Sequence, residues 1–106
     1  MGIGPVFAIP KLYRYVGLEQ KDVEIYELNE AFASQTLACI NKLNIDVDKV
    51  NPNGGAIAIG HPTGATGARQ LATILAELVR QDKELGVTTM CARYADIFVP
   101  CDHYVC

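Results

Sequence analysis

The sequence predicts an α/β domain, because short runs of β-branched and apolar residues alternate with stretches that have helical periodicity. Half of the 106 residues are apolar and a fifth are charged, which is typical of globular proteins. A chain of this length fits one domain, and a small one, which buries a lower fraction of its surface than a larger domain does.

Charge and composition exclude several classes of function. The formal net charge is −3, and the nine basic residues are scattered rather than clustered along a surface that could follow a phosphate backbone. No apolar run reaches the roughly 18 residues typical of a membrane span, and the first residues lack the pattern of a secretory signal. We therefore expect an intracellular protein that binds neither nucleic acid nor membrane, has no targeting signal in this chain, and keeps its thiols reduced.

The first half of the chain predicts a helix, a strand and a second helix. Residues 9–16 form a short helical stretch, and Gly17 stands where a helix would stop. A short apolar strand is predicted over residues 23–28. From Asn29 to about residue 44 the pattern is helical, and one face carries Ala33, Leu37, Ile40 and Leu43.

The second half begins with a long breaker-rich segment. Residues 46–67 contain five glycines and two prolines, a composition that predicts a functional loop without a helix. A helix follows, with Leu71, Ile74, Leu75 and Leu78 on its apolar stripe and Gln70 and Glu77 mostly off it. Gly86 is predicted to end the next turn, before a buried strand at 87–91 and a possible strand at 97–99.

Three residues could carry chemistry, and local pattern alone leaves each open. For His61, between Gly60 and Pro62, the local pattern fits an exposed loop histidine and a donor to an oxyanion equally well. Asn29 stands at a junction of strand and helix, where capping is the better interpretation, and an acidic Glu30 in the first turn favours the same helix. Cys91 ends a strand, where ligands gather in α/β folds, although most such cysteines are inert core residues.

Metal and phosphate sites are poorly supported. Cys91, Cys101, His103 and Cys106 are residue types that bind zinc, but their spacing has no Cys-x-x-Cys knuckle, and the fourth cysteine, Cys39, lies far away in sequence. Glycines 60, 64 and 67 match neither the Walker pattern nor the dinucleotide fingerprint. We therefore expect no metal.

Three stretches together resemble the C-terminal domain of thiolases. They are residues 29–33 (NEAFA), residues 54–62 (GGAIAIGHP) continuing through Gly64 and residues 66–69 (TGAR), and residues 90–91 (MC). The opening residues 1–5 (MGIGP) and 8–11 (AIPK) are similar to the same family. The resemblance implies a mixed sheet with packed helices, incomplete at both ends, with residues 1–91 as a fragment of that domain and residues 92–106 as a divergent tail.

The resemblance also implies an activity and roles for the three candidate residues. Thiolases convert a 3-ketoacyl-CoA and CoA into an acyl-CoA and acetyl-CoA, and need no cofactor beyond the coenzyme A thioester substrate. By resemblance, His61 and Asn29, the latter through a water, help form an oxyanion hole, and Cys91 is the acid/base. The likeness is greatest to the peroxisomal branch that serves fatty-acid β-oxidation, which implies a peroxisomal location and homodimerisation in the full-length enzyme only.

Two departures from the family limit what the isolated chain can do. The nucleophilic cysteine of thiolases belongs to an N-terminal domain that this sequence does not contain. The glycine that follows the acid/base cysteine, whose N–H contributes to a second oxyanion hole in the family, is replaced here by Arg93. The alternatives to a truncated acyltransferase are a non-catalytic module that docks onto intact thiolase subunits and a product without function.

Three expectations follow from this incomplete resemblance. The isolated chain should be inactive. The tail after Cys91 should be poorly anchored, since Pro100 and Asp102 suit a central parallel strand badly. The stripe of the helix around Leu75 should remain partly uncovered, leaving exposed apolar surface.

Overall fold

The sheet at the centre of the molecule is mixed, which confirms the predicted α/β class. The computed structural model describes residues 2–91 and the backbone of residues 96–100. Within them, β1 (Ile25–Leu28) pairs in parallel with β2 (Leu85–Thr89), and β2 pairs antiparallel with β3 (Asp96–Pro100). The register Leu28↔Thr89 brings the carboxyl ends of β1 and β2 to the same edge of the sheet.

Both faces of β1 are covered, because successive side chains of a strand point to opposite sides. Ile25 packs with Ile74 and Leu78 of α4 (Thr66–Gln81). Tyr26 and Leu28 pack with residues of α1 (Gly4–Val16) and α2 (Ala33–Leu43), so these two helices cover the other face. All four residues of β1 are buried, which explains why the strand has a continuous apolar pattern broken only by Glu27.

Helix α1 begins five residues earlier than predicted. Pro5 lies in its first turn, where a missing N–H is tolerated, so this proline favours the helix start. The helix continues through Pro10 because its buried face, with Ile9 and Tyr13, is part of the core. Its end is as predicted: Gly17 has a left-handed conformation (φ 74°) and its N–H bonds the carbonyl of Tyr13.

Helix α2 begins four residues later than predicted, at Ala33, and its N-cap residue is Phe32. The expectation that Asn29 caps this helix is therefore wrong. The predicted apolar face is also wrong in part, because Leu37 is 55% exposed and Ala33 is exposed. The buried face instead carries Thr36, Cys39 and Ile40, a set that an apolar count misses since threonine is polar.

The glycine-rich segment is not free of helix. A single turn, α3 (Ala56–Ile59), lies between Gly55 and Gly60, where the sequence Ala-Ile-Ala-Ile contains no breaker. A 3-10 turn, Val47–Lys49, precedes it, and α4 begins at Thr66, one residue before Gly67. Most of the remaining residues are exposed, as is usual for a loop, but Asn51 and Gly55 are buried.

Helix α4 packs on β1 and β2 with a stripe that mixes polar and apolar residues. Ile74 and Leu78 are fully buried, but Leu71 and Leu75 are only half-buried. Gln70 and Glu77, predicted off the stripe, are 1% and 2% exposed. The predicted stripe is thus covered at Ile74 and Leu78 and left partly uncovered at Leu71 and Leu75, so the expectation of an incompletely covered stripe holds for two of its four residues.

Gly86 lies inside β2 rather than ending a turn, which corrects the prediction for this glycine. A Cβ atom at this position would come within 2.5 Å of Ile74 Cδ1. The missing side chain therefore allows α4 to pack close against the strand.

The strand predicted at 97–99 is present as β3, which pairs with β2 over five residues. The expectation that the whole tail is poorly anchored is therefore wrong for residues 96–100, which form an antiparallel strand rather than a central parallel one. Pro100 is its last residue and is paired with Leu85. The rest of the tail, with the zinc-ligand candidates Cys101, His103 and Cys106, lies outside the described residues. In the described part of the chain no helix is long and apolar enough to cross a membrane.

Candidate active site

Asn29 lies at the sheet edge where the parallel strands β1 and β2 both end. Its backbone N–H donates to the carbonyl of Thr89 at 2.9 Å, continuing the ladder one residue beyond β1. The residue is 2% exposed, and its Oδ1 accepts no hydrogen bond from any residue that the structure describes. The carboxyl edge of parallel strands is where α/β folds bind ligands, so this unused acceptor lies in a favourable place.

His61 reaches the same edge from the glycine-rich segment. Its Nε2 lies 3.5 Å from Asn29 Nδ2, a long contact that joins residues 32 positions apart in the sequence. The side chain of His61 is exposed, so the pair lies at the surface of the described residues. The structure thus brings together two of the three candidate residues.

Thr66, the first residue of α4, fixes the other nitrogen of the imidazole. His61 Nδ1 lies 2.8 Å from Thr66 Oγ1, and this hydroxyl donates to the carbonyl of Pro62 at 3.0 Å. Thr66 is fully buried. Thr66 was given no role from the sequence alone, although it begins the family stretch 66–69, five residues after the histidine.

Glu30 joins the Asn29 segment to the glycine-rich segment. Its carboxylate accepts from Asn51 Nδ2 at 2.9 Å and from the N–H of Ile57, in the first turn of α3, at 3.1 Å. The carboxylate therefore lies at the start of α3 and not in the first turn of the helix predicted from residue 29. Gly55 lies against it so closely that a Cβ there would be 2.3 Å from Glu30 Cδ.

Asn51 holds the loop against β1. Its Oδ1 accepts from the N–H of Leu28 at 2.9 Å, and its Nδ2 donates to the carbonyl of Leu28 at 2.8 Å. One side chain thus bonds both the N–H and the carbonyl of Leu28, as the backbone of an adjacent β-strand would. The residue before Asn29 is fixed in place as a result.

A buried ion pair anchors the start of α4 beneath the site. Arg69 Nη1 lies 2.6 Å from Glu27 Oε2, and Glu27 is 1% exposed. Burial raises the pKa of the Glu27 carboxyl above its usual range, although Arg69 acts in the opposite direction. Gln70 Nε2 adds bonds to the carbonyls of Glu27 and Thr89, so α4 is tied to both strands.

Cys91 lies two residues beyond β2 and is half-buried. Its Sγ donates to the carbonyl of Gly2 at 3.5 Å, and Cys39 Sγ lies 3.7 Å from the same oxygen. The Cα of Cys91 is 4.0 Å from the place of a Cβ on Gly4. The segment before α1 therefore contacts the third candidate residue, a link that the Met-Gly-Ile-Gly-Pro opening alone did not predict.

The arrangement offers two kinds of chemistry at one edge of the sheet. An amide and an imidazole, each fixed by neighbours, can bind an oxygen that gains negative charge. A thiol can carry a proton. In the part of the chain that the structure describes, no group of three or more His, Cys, Asp or Glu side chains could hold a metal ion.

The comparisons with known proteins relate this chain to one family. A family model described as the thiolase C-terminal domain matches residues 1–96. The peroxisomal 3-ketoacyl-CoA thiolase of Saccharomyces cerevisiae is 59% identical over 91 residues, which are 86% of this chain and 21% of that protein. The peroxisomal 3-ketoacyl-CoA thiolase B of Rattus norvegicus is 56% identical over 92 residues, again 86% of this chain and 22% of the relative. The chain thus spans about a fifth of the length of these relatives.

Solved structures agree with the sequence comparison. The dimeric peroxisomal thiolase of S. cerevisiae superposes with a TM-score of 0.79 at 59% identity, over 85% of this chain and 23% of that one. The acetyl-CoA acetyltransferase of Bacillus anthracis gives a TM-score of 0.84 at 43% identity, over 86% of this chain and 23% of that one. The fold and the sequence lead to the same conclusion: the chain belongs to the thiolase family and corresponds to its C-terminal domain.

Proposed function

We propose that this chain supplies the oxyanion-binding and proton-transfer part of a thiolase, which cleaves a 3-ketoacyl-CoA with CoA to give an acyl-CoA and acetyl-CoA. The observation that carries the proposal is the contact between Asn29 and His61 at the carboxyl edge of the parallel strands. Relatives named 3-ketoacyl-CoA thiolases, at 56–60% identity, support this substrate class.

Asn29 and His61 stabilise the negative charge that develops on the thioester oxygen. Each is held from a second direction, Asn29 through its backbone bond to Thr89 and His61 through Thr66. Donors fixed in advance are effective because they need not reorganise as the charge forms, and removing one such donor costs about 100- to 1,000-fold in kcat.

Cys91 moves the proton at the α-carbon of the acetyl unit. Its place just beyond β2 and its contact with Gly2 keep the thiol at the same end of the sheet as Asn29. The role needs no metal and no cofactor beyond the coenzyme A thioester.

Residues 1–91 are the thiolase fragment in this assignment, and residues 92–106 are a divergent tail, within which residues 96–100 add β3 to the same sheet. The covalent nucleophile of the cycle would come from the other domain of a complete enzyme, which would be a homodimer located in the peroxisome. The dimeric yeast structure and the peroxisomal relatives support these two points.

A chimera tests this function directly. Residues 1–91 replace the matching segment of the S. cerevisiae enzyme, and thiolysis of acetoacetyl-CoA is measured. We expect activity, and a loss of roughly 100-fold or more in His61→Ala and Cys91→Ser, in line with removal of an oxyanion donor or an acid/base group. Asn41→Ala, at an exposed position of α2, is the matched control and should have no effect. An active chimera that His61→Ala leaves unchanged would refute the assignment.

The isolated chain should show no CoA-dependent cleavage, because the acyl-enzyme step has no nucleophile within these residues. A second chimera that extends through Cys106 tests the departure at Arg93. If that chimera is as active as the first, the tail is compatible with catalysis.

A further inference from the structure

Three hydrogen bonds run in series through His61. Asn29 Nδ2 lies 3.5 Å from His61 Nε2, His61 Nδ1 lies 2.8 Å from Thr66 Oγ1, and Thr66 Oγ1 donates to the carbonyl of Pro62 at 3.0 Å. The two ends of the series have fixed roles, because an amide nitrogen only donates and a carbonyl oxygen only accepts. The roles of the groups between them follow from counting hydrogens.

A threonine hydroxyl has one hydrogen to donate. The contacts of Thr66 Oγ1 with Pro62 and with His61 can both be hydrogen bonds only if the hydroxyl donates to Pro62 and accepts from the imidazole, which assigns a proton to the Nδ1 of His61. In a neutral ring Nε2 is then an acceptor, which matches the amide nitrogen of Asn29 that faces it. Each group then donates to the next one along the series, from Asn29 through His61 and Thr66 to Pro62.

We propose that Thr66 is a positioning residue, which holds neutral His61 as the tautomer protonated on Nδ1 and thereby makes Nε2 a proton acceptor. The relevance of this tautomer to catalysis rests on the proposed function, but the experiment that detects the tautomer does not. It corrects the simplest form of the oxyanion model, in which a neutral imidazole donates from Nε2. Donation to a thioester oxygen requires a second proton on the ring, taken by Nε2 from a thiol of the reaction, which leaves a thiolate and an imidazolium.

The surroundings of Thr66 suit this task. The residue is fully buried, so solvent does not compete for its hydroxyl. Its backbone N–H also bonds the carbonyl of Pro62, at 2.9 Å, independently of the side chain. A Thr66→Val substitution therefore removes the hydroxyl while keeping both the shape of the side chain and the first backbone bond of α4.

Long-range ¹H–¹⁵N spectra of the labelled chain report the tautomer of each histidine directly. His61→Gln assigns the signals, since His103 is the only other histidine. At a pH where the ring is neutral, we expect His61 to carry its proton on Nδ1. Thr66→Ser should retain this pattern and Thr66→Val should shift the ring toward the Nε2-protonated form.

Thr73→Val is the matched control. Thr73 lies in the same helix and donates from Oγ1 to the carbonyl of Arg69 at 2.9 Å, but it is not a partner of His61. This variant should leave the His61 spectrum unchanged. If Thr66→Val does not fold, Thr66→Ala replaces it and should shift the ring in the same sense.

Either of two results would overturn the proposal: an Nε2-protonated His61 in the unmodified chain, or an unchanged tautomer when the hydroxyl is removed from a folded variant. Because the spectra need no catalysis, they separate the two proposals. An inactive chimera together with a hydroxyl-dependent tautomer would refute the thiolase role and leave the role of Thr66 standing.

Discussion

Glu30 connects the residue that precedes it, Asn29, to the segment that carries His61. Its carboxylate occupies a narrow space against Gly55 and accepts hydrogen bonds from Asn51 and from Ile57. The position of the glycine-rich segment relative to β1 thus depends on this carboxylate and on the absence of a side chain at residue 55, in addition to the bonds of Asn51 to Leu28.

Gly55→Ala should disturb this contact. The new Cβ would lie 2.3 Å from Glu30 Cδ, so either the carboxylate or the loop must move, and we expect a loss of about 1 to 3 kcal/mol, as for overpacked cores. Urea unfolding measures the loss. Gly64→Ala is the control, because no atom lies within 4 Å of its Cβ position. Equal midpoints for the two variants would show that Glu30 adapts without cost.

The residues of the candidate site could be assigned roles from the sequence only where a family motif marked them. Spacing alone favoured Asn29 as a helix cap, yet the structure places it one residue beyond β1 with a contact to His61. Thr66 stands in the family stretch 66–69 but was given no role, and Asn51 was not identified at all. The hydrogen bonds of Asn51 to Leu28 depend on how segments 23 residues apart meet, and no local period records such a meeting.

At the scale of elements, α4 is joined to the rest of the fold by buried polar side chains as well as by apolar packing. Glu77 is 2% exposed and bonds Arg80, Asn53 and Gln81. Asn53 lies in the glycine-rich segment, so Glu77 links the C-terminal half of the helix to the loop that leads to His61.

Glu77 should make stability depend on acid pH. The Arg80 guanidinium, followed by the Asn53 and Gln81 amides, lowers the pKa of this carboxyl from 4.5 to about 2. A lowered pKa contributes stability that is fully present above pH 4.5 and is lost as the pH falls through about 2. The urea midpoint should therefore drop across this window in the unmodified chain and drop less in Glu77→Gln.

Comparing the unmodified chain with Glu77→Gln isolates the contribution of Glu77 to the pH dependence of stability. Glu27, whose pKa is raised, acts with the opposite sign, because its protonation favours the fold as the pH falls, but it is present in both proteins. Glu84→Gln, at an exposed position, should keep the full pH dependence. If Glu77→Gln and the unmodified chain lost stability in parallel, the carboxylate would not be a source of acid sensitivity.

The elements themselves were largely predictable, and their limits were not. Strong periodicity identified α4, because one face of this helix is buried, and β-branched residues identified β2, which is buried on both faces over residues 86–89. The start of α1 was missed although Pro5 suits a first turn, and the start of α2 was missed because Asn29 has the composition of a cap. The buried Gln70 and Glu77 were placed off the stripe because their burial depends on partners in other segments.

For the whole molecule, the sheet separates two layers of helix. Helix α4 covers one face, and α1 and α2 cover the other, with Ile9, Tyr13 and Val87 fully or nearly buried between them. The expected exposed apolar surface is present, and most of it lies away from the stripe of α4. Large apolar side chains that are more than half exposed include Phe7, Phe32, Leu37, Ile57, Ile59 and Val79.

Two alanine substitutions on α1 compare an exposed apolar side chain, which a partner could cover, with a side chain that already belongs to the core. Phe7 is 68% exposed and Ile9 is 0% exposed, two residues apart on the same helix. Ile9→Ala should lower the free energy of unfolding by about 2 to 5 kcal/mol because it leaves a cavity. Phe7→Ala should change it by only about 0.5 kcal/mol or less, as is usual for surface substitutions.

Phe7→Ala, which should hardly change the free energy of unfolding, should change the binding of a hydrophobic dye. The folded chain should bind the dye through its exposed apolar side chains, and Phe7→Ala should reduce that binding because it removes part of the accessible surface. Dye fluorescence under native conditions, with near-ultraviolet circular dichroism as the check on packing, measures this. A chain that binds no dye, or a Phe7→Ala variant as unstable as Ile9→Ala, would mean that Phe7 is already covered in solution, and that the fragment completes its own core without the rest of a thiolase.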